Sequence, residues 1–167
     1  MKLDLTVNGR EISADVEPRQ HLADFLRERL LFTGTHLGCE QGACGACTVL
    51  LDGSPVRSCI VYAVSCEGRD VRTIEGLEND EVISQLRSAM SNHHGLQCGF
   101  CTPGMLLTSR DIVTRLPDAD ERRVREELSG NLCRCTGYVG IVSAVRAVLS
   151  ERKITSTGQA RASEEDA

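Results

Sequence analysis

Residues 38–49 read GCEQGACGACTV, and the spacing of their cysteines decides how the first half of the chain is read. With Cys59 they form C-x4-C-x2-C-x11-C, on Cys39, Cys44, Cys47 and Cys59. Gly38, Gly42, Ala43, Gly45 and Ala46 surround the first three. Small residues at that density let a backbone wrap closely around a bound group and turn its N–H donors inward, where larger side chains would obstruct the approach.

The first three cysteines follow the spacing of plant-type [2Fe–2S] sites. Two ferric ions, two sulfides and four thiolates sum to a dianion, which gains charge on reduction, so inward N–H groups are what such a cluster requires. Zinc also takes four cysteines, but usually as paired C-x2-C units. A dithiol redox motif at Cys44 and Cys47 would leave Cys39 and the glycine loop unexplained.

A second set of four follows in QCGFCTPGM (97–105) and NLCRCTGY (131–138): Cys98, Cys101, Cys133 and Cys135. Each pair is read as lying just before a helix, with Thr102 as N-cap, Pro103 at N1, and Thr136 capping the other. Helix N-termini present free N–H groups and partial positive charge, which suits an anionic cluster between them. The two sets are spaced differently, so they are not a duplication. The ninth cysteine, Cys66, lies in a strand-like run without a local partner and is read as a small buried or half-buried thiol. His21, His36, His93 and His94 fit no metal spacing and are read as surface or loop residues.

Outward from the cysteines, the hydrophobic period changes once. LDLTV (3–7) and EISADV (11–16) flank Asn8-Gly9, a strong hairpin signal. Leu22, Phe25, Leu26 and Leu30 recur at helical spacing. TVLLDG and PVRSCIVYAV form strand-like runs around Asp52-Gly53, and DVRTI (70–74) is a last short one. From Glu81 the period is helical. Four short helices are expected, around Val82–Met90, Met105–Leu116, Val124–Leu128 (ended by Gly130) and Ile141–Leu149. The fold class is therefore α+β. The expected division is 1–76, 77–152 and a polar, disordered tail, 153–167.

Composition narrows the function. At 167 residues and net charge −5, with no basic run interleaved with aromatics, nucleic-acid binding is not indicated. The alternating signs of ERRVREE (121–127) describe a solvated helix face. MKLDLTVNGR has an acid at Asp4, no apolar signal core and no twin-arginine pair, so a cytoplasmic chain is expected, with export on a signal-bearing partner as the alternative. There cysteines serve metals or redox chemistry rather than disulfides. No G-x-G-x-x-G, P-loop or Ser-His-Asp logic is present.

At the three quoted motifs, over roughly residues 2–152, the sequence resembles the small iron–sulfur subunit of molybdenum hydroxylases: xanthine dehydrogenase, aldehyde oxidoreductase and aerobic carbon monoxide dehydrogenase. The resemblance implies an N-terminal β-grasp ferredoxin-like domain and a C-terminal four-helix [2Fe–2S]-binding domain. It implies an oxidoreductase subunit with no substrate chemistry of its own, in a heterotrimer or a dimer of heterotrimers. One partner subunit would carry FAD and another a molybdopterin cofactor, where substrate is hydroxylated with oxygen from water. Gln97 and Cys135 would approach the pterin, and the set at Cys98 would lie nearer the molybdenum. The competing readings are a free-standing two-cluster carrier and a structural module with two zinc sites.

Overall fold

In the computed structural model the backbone is described for residues 1–165 and the side chains for residues 1–154. Asn8 and Gly9 both have positive φ (52° and 77°), as a type I′ turn requires. They join β1 (Lys2–Val7) to β2 (Arg10–Asp15), with Leu5 opposite Ile12. Asp52-Gly53 (48° and 81°) does the same between β3 (Thr48–Leu51) and β4 (Ser54–Arg57). β5 (Asp70–Arg72) lies between the hairpins, parallel to β1 and antiparallel to β3. The result is one mixed sheet in the order β2-β1-β5-β3-β4. A short helix α1 (Leu22–Asp24), continued by a π-helical turn (Phe25–Arg29), buries Leu22, Phe25 and Leu26 against Leu3, Leu5, Val49, Leu51 and Val71.

The run PVRSCIVYAV is not a long strand. Only its start belongs to β4, and Ser58–Ile60 and Ala63–Cys66 are 3-10 turns. β4 is an edge strand, and the chain leaves the ladder there so that Cys59 packs with Cys47, Ala23 and Leu37.

The second half is helical: α2 (Glu81–Asn92), α3 (Thr102–Arg115), α4 (Glu121–Leu128) and α5 (Val139–Glu165). Asp80 caps α2 by accepting the Ile83 N–H at 2.9 Å, and Asp120 caps α4 by accepting the Arg123 N–H at 2.8 Å. Arg122–Glu126, Arg125–Glu121 and Arg123–Glu127 are i,i+4 ion pairs on α4, the solvated face its sequence describes. Thr102 is not the N-cap of α3. Cys101 holds that position with helical dihedrals and no capping bond, so the helix opens one residue earlier. Gly130 does not end α4 in a left-handed turn. Its missing side chain makes room for Arg57, whose Nη2 would lie 2.6 Å from a Cβ there. The α5 backbone continues past Lys153 into the stretch whose composition predicts disorder; the side chains from 155 on, and residues 166 and 167, lie outside the described residues.

β3 joins the halves. Val49 and Leu51 face the strand core, while Leu50, on the other face, joins the helical core that contains Leu86, Met105, Ile112, Leu128, Ile141 and Val145. Burying a side chain of this size contributes about 1.5–3 kcal/mol, so β3 is tied into both cores. α3 lies so close to the first cysteine loop that a Cβ on Gly104 would fall 2.4 Å from the Gly45 carbonyl oxygen. Gly104→Ala is therefore expected to cost about 1–3 kcal/mol by overpacking, lowering Tm by several degrees in a thermal melt. An unchanged Tm would show that the seam is looser than described.

Candidate metal centres

The first set is built by a hairpin and a loop. Antiparallel pairing of Thr48 with Arg57 brings the residues just outside β3 and β4 together, and the Ser58 N–H and hydroxyl bond the Cys47 carbonyl at 3.3 and 2.7 Å. Cys47 and Cys59 are thereby buried with their thiols in mutual contact. Cys39 and Cys44, half-buried, form the other touching pair. The loop from Cys39 to Cys47 turns through left-handed conformations at Glu40, Gly42 and Gly45. This winding aims the N–H groups of Gln41, Cys44 and Ala43 at the Cys39 sulfur, the Cys44 donor at 3.3 Å. Those bonds, Gln41 first, lower the Cys39 pKa to about 7. Burial, by contrast, raises Cys59 to about 11. Gly38 leaves room for the Cys44 sulfur, 3.2 Å from where its Cβ would be, and Gly42 for Ile60.

The second set shows the same pairing. Cys98 and Cys135, both exposed, have sulfurs 3.5 Å apart, and Cys101 touches Cys133. The Phe100 N–H lowers the Cys98 pKa, while burial pushes Cys101 up to about 12. Burial would also raise Cys133, but hydrogen bonds, led by the Thr136 hydroxyl at 3.1 Å, leave it lowered. Thr136 thus serves a sulfur, and its oxygen also accepts the Tyr138 N–H at 3.2 Å. The pair at Cys133 and Cys135 is not directly at a helix start; two left-handed residues, Gly137 and Tyr138, intervene before α5. The Gln97 amide donates to the Cys135 carbonyl at 3.1 Å, so these two residues share one exposed edge.

Touching sulfur pairs with N–H donors around them fit binuclear clusters, where each iron takes two cysteines. Among the described residues no three His, Cys, Asp or Glu side chains close on a single ion. Cys66 stands apart, fully buried in the strand core beside Leu3 and Phe25, its thiol pKa raised by burial.

Several residues that build the site carry no motif of their own. His36 lies in a loop and His21 in an isolated bridge to Tyr62, both half-buried. The His21 Nδ1 bonds the Cys59 carbonyl, and the His36 Nδ1 lies 2.7 Å from the Phe100 carbonyl with its ring stacked on Phe100. The Tyr138 hydroxyl accepts the Cys133 N–H at 2.8 Å. Arg57 donates to Thr48 Oγ1 and the Gly130 carbonyl, each at 2.7 Å. The two cysteine loops also meet directly: the Leu132 N–H donates to the Cys44 carbonyl at 2.8 Å.

Fold and site together define a two-part iron–sulfur protein. The 2Fe-2S iron-sulfur cluster binding domain family matches residues 5–77, and the [2Fe-2S] binding domain family matches residues 73–146. The chain is 48% identical over 158 residues to caffeine dehydrogenase subunit gamma of Pseudomonas sp. (strain CBB1), covering 93% of this chain and 95% of that one. It is 49% identical over 145 residues to the nicotine 6-hydroxylase small subunit of Paenarthrobacter nicotinovorans, covering 87% of each. The crystal structure of quinoline 2-oxidoreductase from Pseudomonas putida 86 includes a chain that superposes with a TM-score of 0.84 at 51% identity, covering 90% of this chain and 94% of that one. The chain belongs to the family of small iron–sulfur, electron-transfer subunits of molybdenum hydroxylases. These relatives do not favour a free-standing carrier.

The thiol environments give a direct test. The lowered pKa leaves Cys39 partly thiolate near neutral pH, whereas Cys101 stays protonated. In metal-free, folded chain at about pH 7, iodoacetamide is expected to label Cys39 well before Cys101, because the thiolate is the nucleophile. Raising the pH should narrow the gap by ionising Cys101. Peptide mass spectrometry reads the order, and earlier labelling of Cys101 would refute the N–H cage described for Cys39.

Proposed function

We propose that Cys39, Cys44, Cys47 and Cys59 hold one [2Fe–2S] cluster and Cys98, Cys101, Cys133 and Cys135 a second, in units bounded near residue 76. When bound, the clusters supply the one-electron steps that link a molybdopterin-bearing large subunit to an FAD-bearing medium subunit. The observation that carries this reading is the contact between the two cysteine loops, the Leu132 N–H on the Cys44 carbonyl at 2.8 Å.

The chain's own residues then have separable tasks. Gly38, Gly42 and Gly45 keep the first loop tight. Gln97 and Cys135 present the second set to the pterin. Cys98 and Cys135 are exposed while Cys47 and Cys59 are buried, which supports an open second set facing a partner's cofactor. Exposed apolar residues flank both sets, Ile60 and Tyr62 beside the first and Leu96, Leu132 and Val139 beside the second. They support burial of both faces by partner subunits. Relatives named for caffeine, nicotine and quinoline support an N-heterocycle as the substrate of the large subunit. Among the described residues no helix is long and apolar enough to cross a membrane. The many cysteines, all free thiols, support assembly in the cytoplasm, where disulfides are rare.

The order of the sets is tested magnetically in the assembled enzyme. The paramagnetic Mo(V) state is expected to couple more strongly to the cluster lost in Cys133→Ser than to the one lost in Cys47→Ser. If the stronger coupling disappears with Cys47→Ser, the order is the reverse.

A further inference from the structure

Asn131 is 2% exposed, and its side-chain amide is fully engaged. Nδ2 donates to the Gly45 carbonyl and the Gly104 carbonyl, each at 3.2 Å, with Thr48 Oγ1 at 3.4 Å. Oδ1 accepts from Thr108 Oγ1 at 3.0 Å and Arg57 Nη2 at 3.1 Å. The amide cannot be turned over, because backbone carbonyls only accept and a guanidinium only donates. Its partners are significant for where they sit. Gly45 lies between Cys44 and Cys47, Gly104 lies three residues beyond Cys101, and Asn131 itself lies two residues before Cys133. One planar group therefore fixes three cysteine-bearing segments against one another. Nothing bulkier fits between them: a Cβ on Gly45 would lie 2.4 Å from the Gly130 carbonyl and 2.9 Å from the Asn131 amide carbon.

We propose that Asn131 is the positioning residue that sets the separation and electronic coupling of the two clusters. Electron tunnelling falls exponentially with distance, so a relay between two domains needs its centres held at one separation. A hydrophobic seam alone would allow small sliding, since apolar contacts are not directional. The Asn131 amide supplies direction: five hydrogen bonds converge on it, and any shear of the first loop against α3 breaks at least one of them. A buried partner left unsatisfied is costly, which makes the correct alignment the favoured one.

The inference rests on the two-cluster reading and is tested in the complete heteromeric enzyme reduced with dithionite. The readout is the spin–spin coupling between the two reduced clusters at low temperature, with iron content measured on the same samples. In Asn131→Asp, a carboxylate oxygen replaces Nδ2 opposite two carbonyls. In the milder Thr108→Val, Oδ1 loses one donor. The expected result is a weaker, more broadly distributed coupling in both variants, larger in Asn131→Asp, among molecules that keep both clusters. A residue that merely stabilises the fold would lower Tm and leave the coupling of intact molecules unchanged. Parental coupling in Asn131→Asp overturns the proposal; should that variant fail to assemble, parental coupling in Thr108→Val does so. Absence of two coupled clusters in the unsubstituted enzyme would instead overturn the two-cluster reading itself.

Discussion

A thiolate sulfur held away from bulk water needs hydrogen-bond donors, and a tightly wound backbone is the densest source of them. Residues 38–47 meet that need by turning through left-handed conformations at Glu40, Gly42 and Gly45, which bring three backbone N–H groups to the Cys39 sulfur. The rest of the structure follows from where this loop must be held. The β3–β4 hairpin places Cys47 and Cys59 side by side, and the chain abandons the sheet edge after Arg57 so that Cys59 can complete the set. Serving the sulfurs thus overrides the strand propensity of the residues that follow.

The same loop is the surface on which the helical half is built. β3 is buried on both faces, Leu50 reaching the helical core while Val49 and Leu51 stay in the strand core. Around it the contacts are polar and close: Arg57 to Gly130, Leu132 to Cys44, Asn131 to Gly45 and Gly104. Buried polar groups in a seam like this are tolerable only because each is paired. Fully paired, they give a rigid joint, which suits an electron-transfer subunit.

Much of this was legible in the sequence because it rests on local chemistry. Asn8-Gly9 and Asp52-Gly53 specify hairpins by turn geometry alone, and the apolar spacing after Glu81 specifies helices. The cysteine spacings specify two groups of four, and the structure brings each group together as two touching pairs. What was not legible depends on long-range partners. Thr102 has the chemistry of an N-cap, but Cys101 already has helical dihedrals. Gly130 reads as a helix terminator, yet its role is to admit an arginine from 73 positions away in the chain. His21 and His36 have no metal-like spacing, and their bonds to the carbonyls of Cys59 and Phe100 are visible only once the loops are folded. Asn131 and Tyr138 sit within a motif chosen for its cysteines, and no spacing rule marks either as structural.

Two binuclear clusters on the eight cysteines outside Cys66 would fix the iron content of the chain. Iron and acid-labile sulfide analysis of the chain isolated within its native complex tests it most directly, after correction for the partners' content. Each is expected at about four per chain, from the stoichiometry of two [2Fe–2S] centres. The value should stay at about four in Cys66→Ser and fall to about two in Cys133→Ser, if each set holds one cluster. Stoichiometric zinc without labile sulfide, or loss of iron in Cys66→Ser, would rule out two [2Fe–2S] centres on these eight cysteines.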